Sequence, residues 1–224
     1  MKTFLRRTVA AQTHLLASIA AIVGVFVLLY FASDKPDSRH FWACFIFGLT
    51  SVLVFVASTV FHFLTDGFQV AKRLEKILEN FDHFAIYLFI AGTYTPFLLN
   101  AVSQPWSSIL LAVIWITGII GIFYTYFKPQ LPAWARHRFV YTGIFVLMGW
   151  VLIFRISEVF QHLNLRGIFL LVAGGLSYTI GAIFYATERP KLFEGVFGSH
   201  ELWHLMVMAG FGFHYFLILS FYLP

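Results

Sequence analysis

Apolar residues in this chain fall in long blocks separated by short segments that carry charge, proline or glycine. Seven blocks stand out, at about 13–33, 41–64, 81–102, 106–127, 138–156, 166–187 and 199–222. Each has about the 20 apolar residues that a helix needs to cross a bilayer. Barrel strands would alternate in segments of about 10 residues, whereas stretches such as 109–126 are apolar on every side. The expected fold class is therefore an all-α membrane protein, one seven-transmembrane-helix bundle spanning 1–224. The first block is longer than a signal-peptide core and lacks a clear small-residue cleavage site, so it should persist in the mature chain.

Composition agrees with the pattern: 60% of residues are hydrophobic, 20% aromatic and only 11% charged, against about 25% charged in soluble domains. That leaves no room for a soluble domain. The net charge of +5 comes without a polybasic run, so a membrane-leaflet contact is expected and a nucleic-acid partner is not. Most basic residues fall on one side of the expected spans. Lys2, Arg6 and Arg7 precede the first; Lys72, Arg73 and Lys76 lie in the second loop; Lys128, Arg136 and Arg138 in the fourth; Arg189 and Lys191 in the sixth. Lys35, Arg39, Arg155 and Arg166 fall on the other side. Cytoplasmic loops retain Lys and Arg, which predicts a cytoplasmic amino terminus and an outside carboxyl terminus. The expected location is an inner (plasma) membrane. The single cysteine, Cys44, reads as packing. Pro96, inside the third span, should kink it, with neighbouring threonine hydroxyls able to satisfy freed backbone groups.

Ionisable residues inside apolar spans are costly and usually mark sites or buried pairs. Here they gather at one depth: Ser58 and His62 end the second span, Asp82 and His83 begin the third, and His200, Glu201 and His204 begin the seventh. His200 and His204 are four apart, which puts both imidazoles on one helical face at a spacing that can grip one metal ion. His62 is the natural third ligand. Ser58, one turn deeper on the same face, could hydrogen-bond a ligand or water. Three histidines with an open position is the arrangement of catalytic zinc, which lowers the pKa of its water towards about 7. Asp82 would then hold or deprotonate that water, or orient an imidazole; alternatively it caps the third helix. His83 points about 100 degrees away and reads as packing. His214 lies about 15 Å further into the membrane, too far for the same ion. His14, near the start of the first span, is read either as a further site residue or as packing. Arg155 and Glu158, three apart, should pair.

These motifs carry a resemblance. The runs Ser58-x-x-x-His62, Asp82-His83-x-x-Ile86-Tyr87-x-x-Ile90-Ala91-Gly92-Thr93-Tyr94-Thr95-Pro96 and His200-Glu201-x-x-His204 resemble the hemolysin III branch of the progestin and adiponectin receptor family, which is related to alkaline ceramidases. The resemblance extends over essentially the whole chain. It implies a cytoplasmic-side zinc held by His62, His200 and His204, with Asp82 at the family aspartate that contacts the metal's water and Ser58 at the family serine. One departure is visible. Relatives commonly carry an acidic residue and an asparagine ahead of the first-helix histidine, where this chain reads Arg6-Arg7-Thr8-Val9-Ala10-Ala11-Gln12-Thr13-His14.

Two functions fit. One is a zinc-dependent hydrolase of lipid amides, ceramidase-like, in which Asp82 acts as general base and then acid and Ser58 stabilises the oxyanion. The other is a non-enzymatic membrane-homeostasis or signalling protein whose zinc ties helices together. The family name adds a cytolysin, though few polar residues are embedded to line a pore. A retinal protein would need a lysine in the last helix, and the last lysine, Lys191, precedes it. A haem held by His62 and His200 or His204 would show in visible absorption.

Overall fold

The computed structural model describes residues 2–68, 70–193 and 197–223, with the side chains of 2–8 and 66–67 outside that description. The topology residues Lys2, Arg6 and Arg7 therefore have undescribed side chains. Eight α-helices account for nearly all of the rest: α1 (Lys2–Ser33), α2 (Ser38–Gly67), α3 (Lys72–Ala101), α4 (Trp106–Phe127), α5 (Arg138–Gly149), α6 (Ile156–His162), α7 (Leu165–Thr187) and α8 (Ser199–Ser220). Among the described residues, seven segments are long and apolar enough to cross a membrane, α5 and α6 together forming the fifth. Large apolar side chains point outward along them, among them Phe26, Ile120, Leu147, Phe154 and Phe169. A water-soluble domain would bury such a surface; here it faces lipid.

Helices α1 to α4 pack in chain order, α7 pairs with α8, and α8 returns to α1, while α5 leans on α7 and α3. α3 is the most enclosed, with 61% of its apolar window buried against 28–44% in the other crossings. It therefore belongs to both apolar clusters, one shared with α4 to α8 and one with α1, α2 and α8. Glycine lets its neighbour come close. A Cβ on Gly92 would sit 2.0 Å from Thr50 Oγ1 of α2, so only a residue without one fits this crossing.

Two elements depart from the pattern-based boundaries. α3 begins at Lys72 rather than near 81. The segment 72–80 is rich in Lys, Glu and Leu, good helix formers, and Lys76 pairs with Glu79 at 2.9 Å, so it extends the helix beyond the apolar block. Lys72, Arg73 and Lys76 thus lie on helix rather than in a loop. The fifth crossing, expected as 138–156, runs to His162 and is interrupted by a 3₁₀ turn at Val151–Arg155. Tyr94 of α3 reaches into the interruption: its hydroxyl donates to the Gly149 carbonyl at 2.7 Å and accepts from the Leu152 N–H at 3.4 Å. Backbone groups freed by the break are satisfied by a neighbour, as an apolar surrounding demands.

α3 runs on as helix through Pro96. The threonine hydroxyls bond within their own turn, Thr93 to the Phe89 carbonyl and Thr95 to the Ala91 carbonyl. Arg155 and Glu158 pair at 2.5 Å, and Glu158 also accepts from the Ser103 N–H at 2.7 Å, tying α6 to the connection between α3 and α4. Cys44 is fully buried.

Candidate metal centre

The histidine cluster sits where α2 ends and α8 begins. α8 starts sharply because Glu201 turns back on its own helix: its carboxylate accepts from the Gly198 N–H at 2.7 Å. This satisfies one orphan donor of the first turn and fixes the phase of the helix. With that phase, His200 and His204 face the bundle, and Glu201 and His204 are both 2% exposed. From α2, His62 enters at 6% exposure, one turn beyond Ser58.

One ligand atom from each of His62, His200 and His204 lies within 4.8 Å of the other two. Nε2 of His62 and Nε2 of His200 are 3.2 Å apart. Two imidazole nitrogens on one tetrahedral zinc, each at about 2.0–2.1 Å, are about 3.3 Å apart. The His62–His200 pair already has that separation, and a small closure of His204 completes the set. The three rings meet at angles of 51–66° with centroids 4.6–5.0 Å apart, so their in-plane lone pairs can converge on one point. The residues present therefore fit a metal ion, and imidazole nitrogens are donors that zinc accepts.

Asp82 does not cap α3. The helix starts ten residues earlier with Ala71 at its N-cap position and no side-chain cap bond, which removes the structural alternative for this carboxylate. It instead accepts a hydrogen bond from the Ser58 hydroxyl and lies within electrostatic reach of His83, His62 and Glu79. Ser58 is 3% exposed and Asp82 half-buried. Ser58, His62 and Asp82 thus form one polar strip between α2 and α3, beside the histidine cluster.

His83 turns away, with Nδ1 2.8 Å from the Glu79 carbonyl and its ring against Tyr141. His214 is remote, its Nε2 3.2 Å from the Leu171 carbonyl on α7. His14 joins the cluster: its ring stacks on His204 with centroids 3.8 Å apart and planes 18° apart. Tyr185 of α7 was not singled out from the sequence. Its ring is 6.0 Å from His200 and 5.7 Å from Trp203, and its hydroxyl lies 3.0 Å from that of Tyr141. Its sequence signal was a tyrosine near the site end of a largely apolar span.

Comparison with known proteins agrees with this architecture. A family model described as haemolysin-III related matches residues 2–215. The chain is 34% identical to "Hemolysin-3" of Bacillus cereus over all of its own length and 95% of that protein. It is 31% identical to "Hemolysin-3 homolog" of Bacillus subtilis (strain 168), covering 93% of this chain and 91% of the relative. It is 27% identical to the human "Monocyte to macrophage differentiation factor", covering 92% and 80%. Seven apolar helices and bacterial relatives of nearly full length place it as an integral protein of the bacterial plasma membrane. The chain belongs to the haemolysin III family, a branch of the progestin and adiponectin receptor family.

Proposed function

We propose that this protein binds one zinc ion through His62, His200 and His204 and hydrolyses an amide bond of a membrane lipid. The observation that carries the reading is the placement of the Ser58–Asp82 pair beside three converging imidazoles. A structural zinc site is normally closed by four protein ligands, whereas among the described residues three converge here, with the Asp82 carboxylate within electrostatic reach of His62. Bound zinc supplies a Lewis acid that polarises an acyl carbonyl and acidifies water. The Asp82 carboxylate takes the proton of the attacking water and returns it to the leaving amine. The Ser58 hydroxyl, which donates to Asp82 at rest, turns its hydrogen bond to the developing oxyanion. His62, His200 and His204 act as neutral nitrogen donors. The substrate enters from the bilayer, to which the outer face of every crossing is open. Lys72, Arg73, Lys76, Lys128, Arg136, Arg138, Arg189 and Lys191 fall in or beside the connections at the site end of the bundle, and by the positive-inside rule this supports a cytoplasmic side for the site.

A second reading has its own support. Among the described residues α2 and α8, which carry the three histidines, share little backbone contact and are held together through α1 and α3. A metal between them would clamp the bundle in a homeostasis or signalling protein without turnover.

The test is elemental mass spectrometry on detergent-purified protein, then amide hydrolysis on ceramide-type and N-acyl lipids. About one zinc per chain is expected, lost in His62→Ala and His204→Ala and kept in His214→Gln. Asp82→Asn should keep zinc and melting temperature and lose turnover. Zinc that is present without any lipid-amide turnover in wild type favours the clamp. A folded preparation without metal defeats both readings.

A further inference from the structure

His14 is the fourth imidazole of this region, and no ligand role accounts for it. Its ring is 4% exposed; it comes near the backbone of His204, but among the described residues neither nitrogen completes a hydrogen bond of good geometry. An unmade hydrogen bond on a buried polar group costs about 1–3 kcal/mol, so such a group in a native structure calls for a partner. Simple packing would be better served by phenylalanine, of which the chain has 28.

The ring is held from two sides. It stacks on His204 at 3.8 Å and meets the edge of Phe55 at 5.4 Å with planes 81° apart. Its own turn is fixed to α2, because Ser18 Oγ donates to the His14 carbonyl at 2.8 Å and lies 3.5 Å from Thr59 Oγ1. Ala10, Ala17 and Ala21 keep this face of α1 small and buried. An imidazole this constrained cannot swing to find a distant partner.

Metal ligation does not supply the partner. Imidazole lone pairs lie in the ring plane, so two rings stacked nearly parallel cannot both aim at one ion, and His14 is outside the set whose ligand atoms converge. It nonetheless lies within electrostatic reach of His62 and His200 as well as against His204. Its ring therefore lies beside the three converging imidazoles without joining their set.

We propose that His14 is a binding residue of the metal centre, hydrogen-bonding the oxygen-bearing ligand that fills the position the three histidines leave open. The ligand class is a small oxyanion, hydroxamate or acyl carbonyl, recognised on one side by the metal and on the other by a His14 nitrogen. The stack on His204 couples the two, since it sets the plane of both rings at once.

This inference rests on the metal reading above, and the test separates the two. Cobalt(II) replaces zinc in full-length detergent-purified protein, giving a visible spectrum, and acetohydroxamate is titrated into it. His14→Phe keeps the stack and removes both nitrogens; His14→Leu is a second nitrogen-free variant should the larger ring not fit; His14→Gln returns a donor and acceptor. The expected result is wild-type metal stoichiometry in all three. Acetohydroxamate should bind about tenfold more weakly in the Phe and Leu variants, the weight of one hydrogen bond, with at least part recovered in Gln. Acetohydroxamate affinity within twofold of wild type in the nitrogen-free variants overturns the proposal and leaves the metal centre intact. Loss of cobalt in folded His14→Phe also overturns it, making His14 a ligand. Wild-type protein that takes up no metal defeats both readings.

Discussion

Replacing Gly92 by alanine tests how the fold holds the polar strip together. The new Cβ would lie 2.0 Å from Thr50 Oγ1, 2.9 Å from Thr50 Cβ and 3.1 Å from Thr50 Cγ2. Comfortable carbon contacts are about 3.5–4.0 Å. Rotating the threonine moves Oγ1 and Cγ2 but not Cβ, so α2 and α3 must part by up to about 1 Å. Overpacking of this kind costs about 1–3 kcal/mol. For a chain of this size each kcal/mol moves the melting temperature by about 2–4 °C, giving a fall of roughly 4–8 °C for about 2 kcal/mol. The parting also reaches the site, because α2 carries Ser58 and His62 while α3 carries Asp82. A shift of about 1 Å takes a hydrogen bond outside its range of about 2.7–3.2 Å. The assay is thermal unfolding of detergent-purified protein followed by tryptophan fluorescence, with Thr50→Ala alone and combined with Gly92→Ala. Thr50→Ala removes Oγ1 and Cγ2 and leaves the 2.9 Å contact, so the double variant should recover part of the loss, with a positive coupling in the double-mutant cycle. A Gly92→Ala protein melting within 1 °C of wild type would refute the close-crossing argument.

Stripping the metal with a chelator should lower the melting temperature, since an ion present at about 100 times its Kd stabilises the folded state by about 2.7 kcal/mol; an unchanged melt after verified metal removal would contradict a site that bridges α2 and α8. Glu201→Ala removes the acceptor of the Gly198 N–H and should cost about 1 kcal/mol of stability. Because His200 lies on that first turn and His204 on the next, competition with a chromophoric chelator should also show zinc held several-fold more weakly, and equal affinity would count against the capping role. Tyr94→Phe strands the Gly149 carbonyl at a cost of about 1–3 kcal/mol; hydrogen exchange should quicken over 149–155 and stay unchanged in α1.

Much of this protein was legible in its sequence because lipid imposes a severe rule. Backbone groups must be paired inside each segment, so length and apolarity by themselves give the seven crossings. The positions of α4 and α7 follow directly. The histidine cluster was legible for a related reason: ionisable groups are so costly in a span that His62, His200 and His204 stood out against their surroundings, and the structure brings them together. What the pattern could not give depended on neighbours. The helical reach of α3 back to Lys72 came from propensity and local pairing outside the apolar block, and it decided that Asp82 faces Ser58 instead of capping a helix. The break in the fifth crossing is stable only because Tyr94 arrives from α3 to satisfy it. Position along the chain could not decide between packing and function for His14. Which way an imidazole turns depends on the helix it meets, and only the return of α8 against α1 set that ring on His204. Sequence thus determined which segments cross and which residues were too polar to be there by chance; tertiary packing decided which of those residues meet, since contact between helices is a property of their relative phase and not of either one alone.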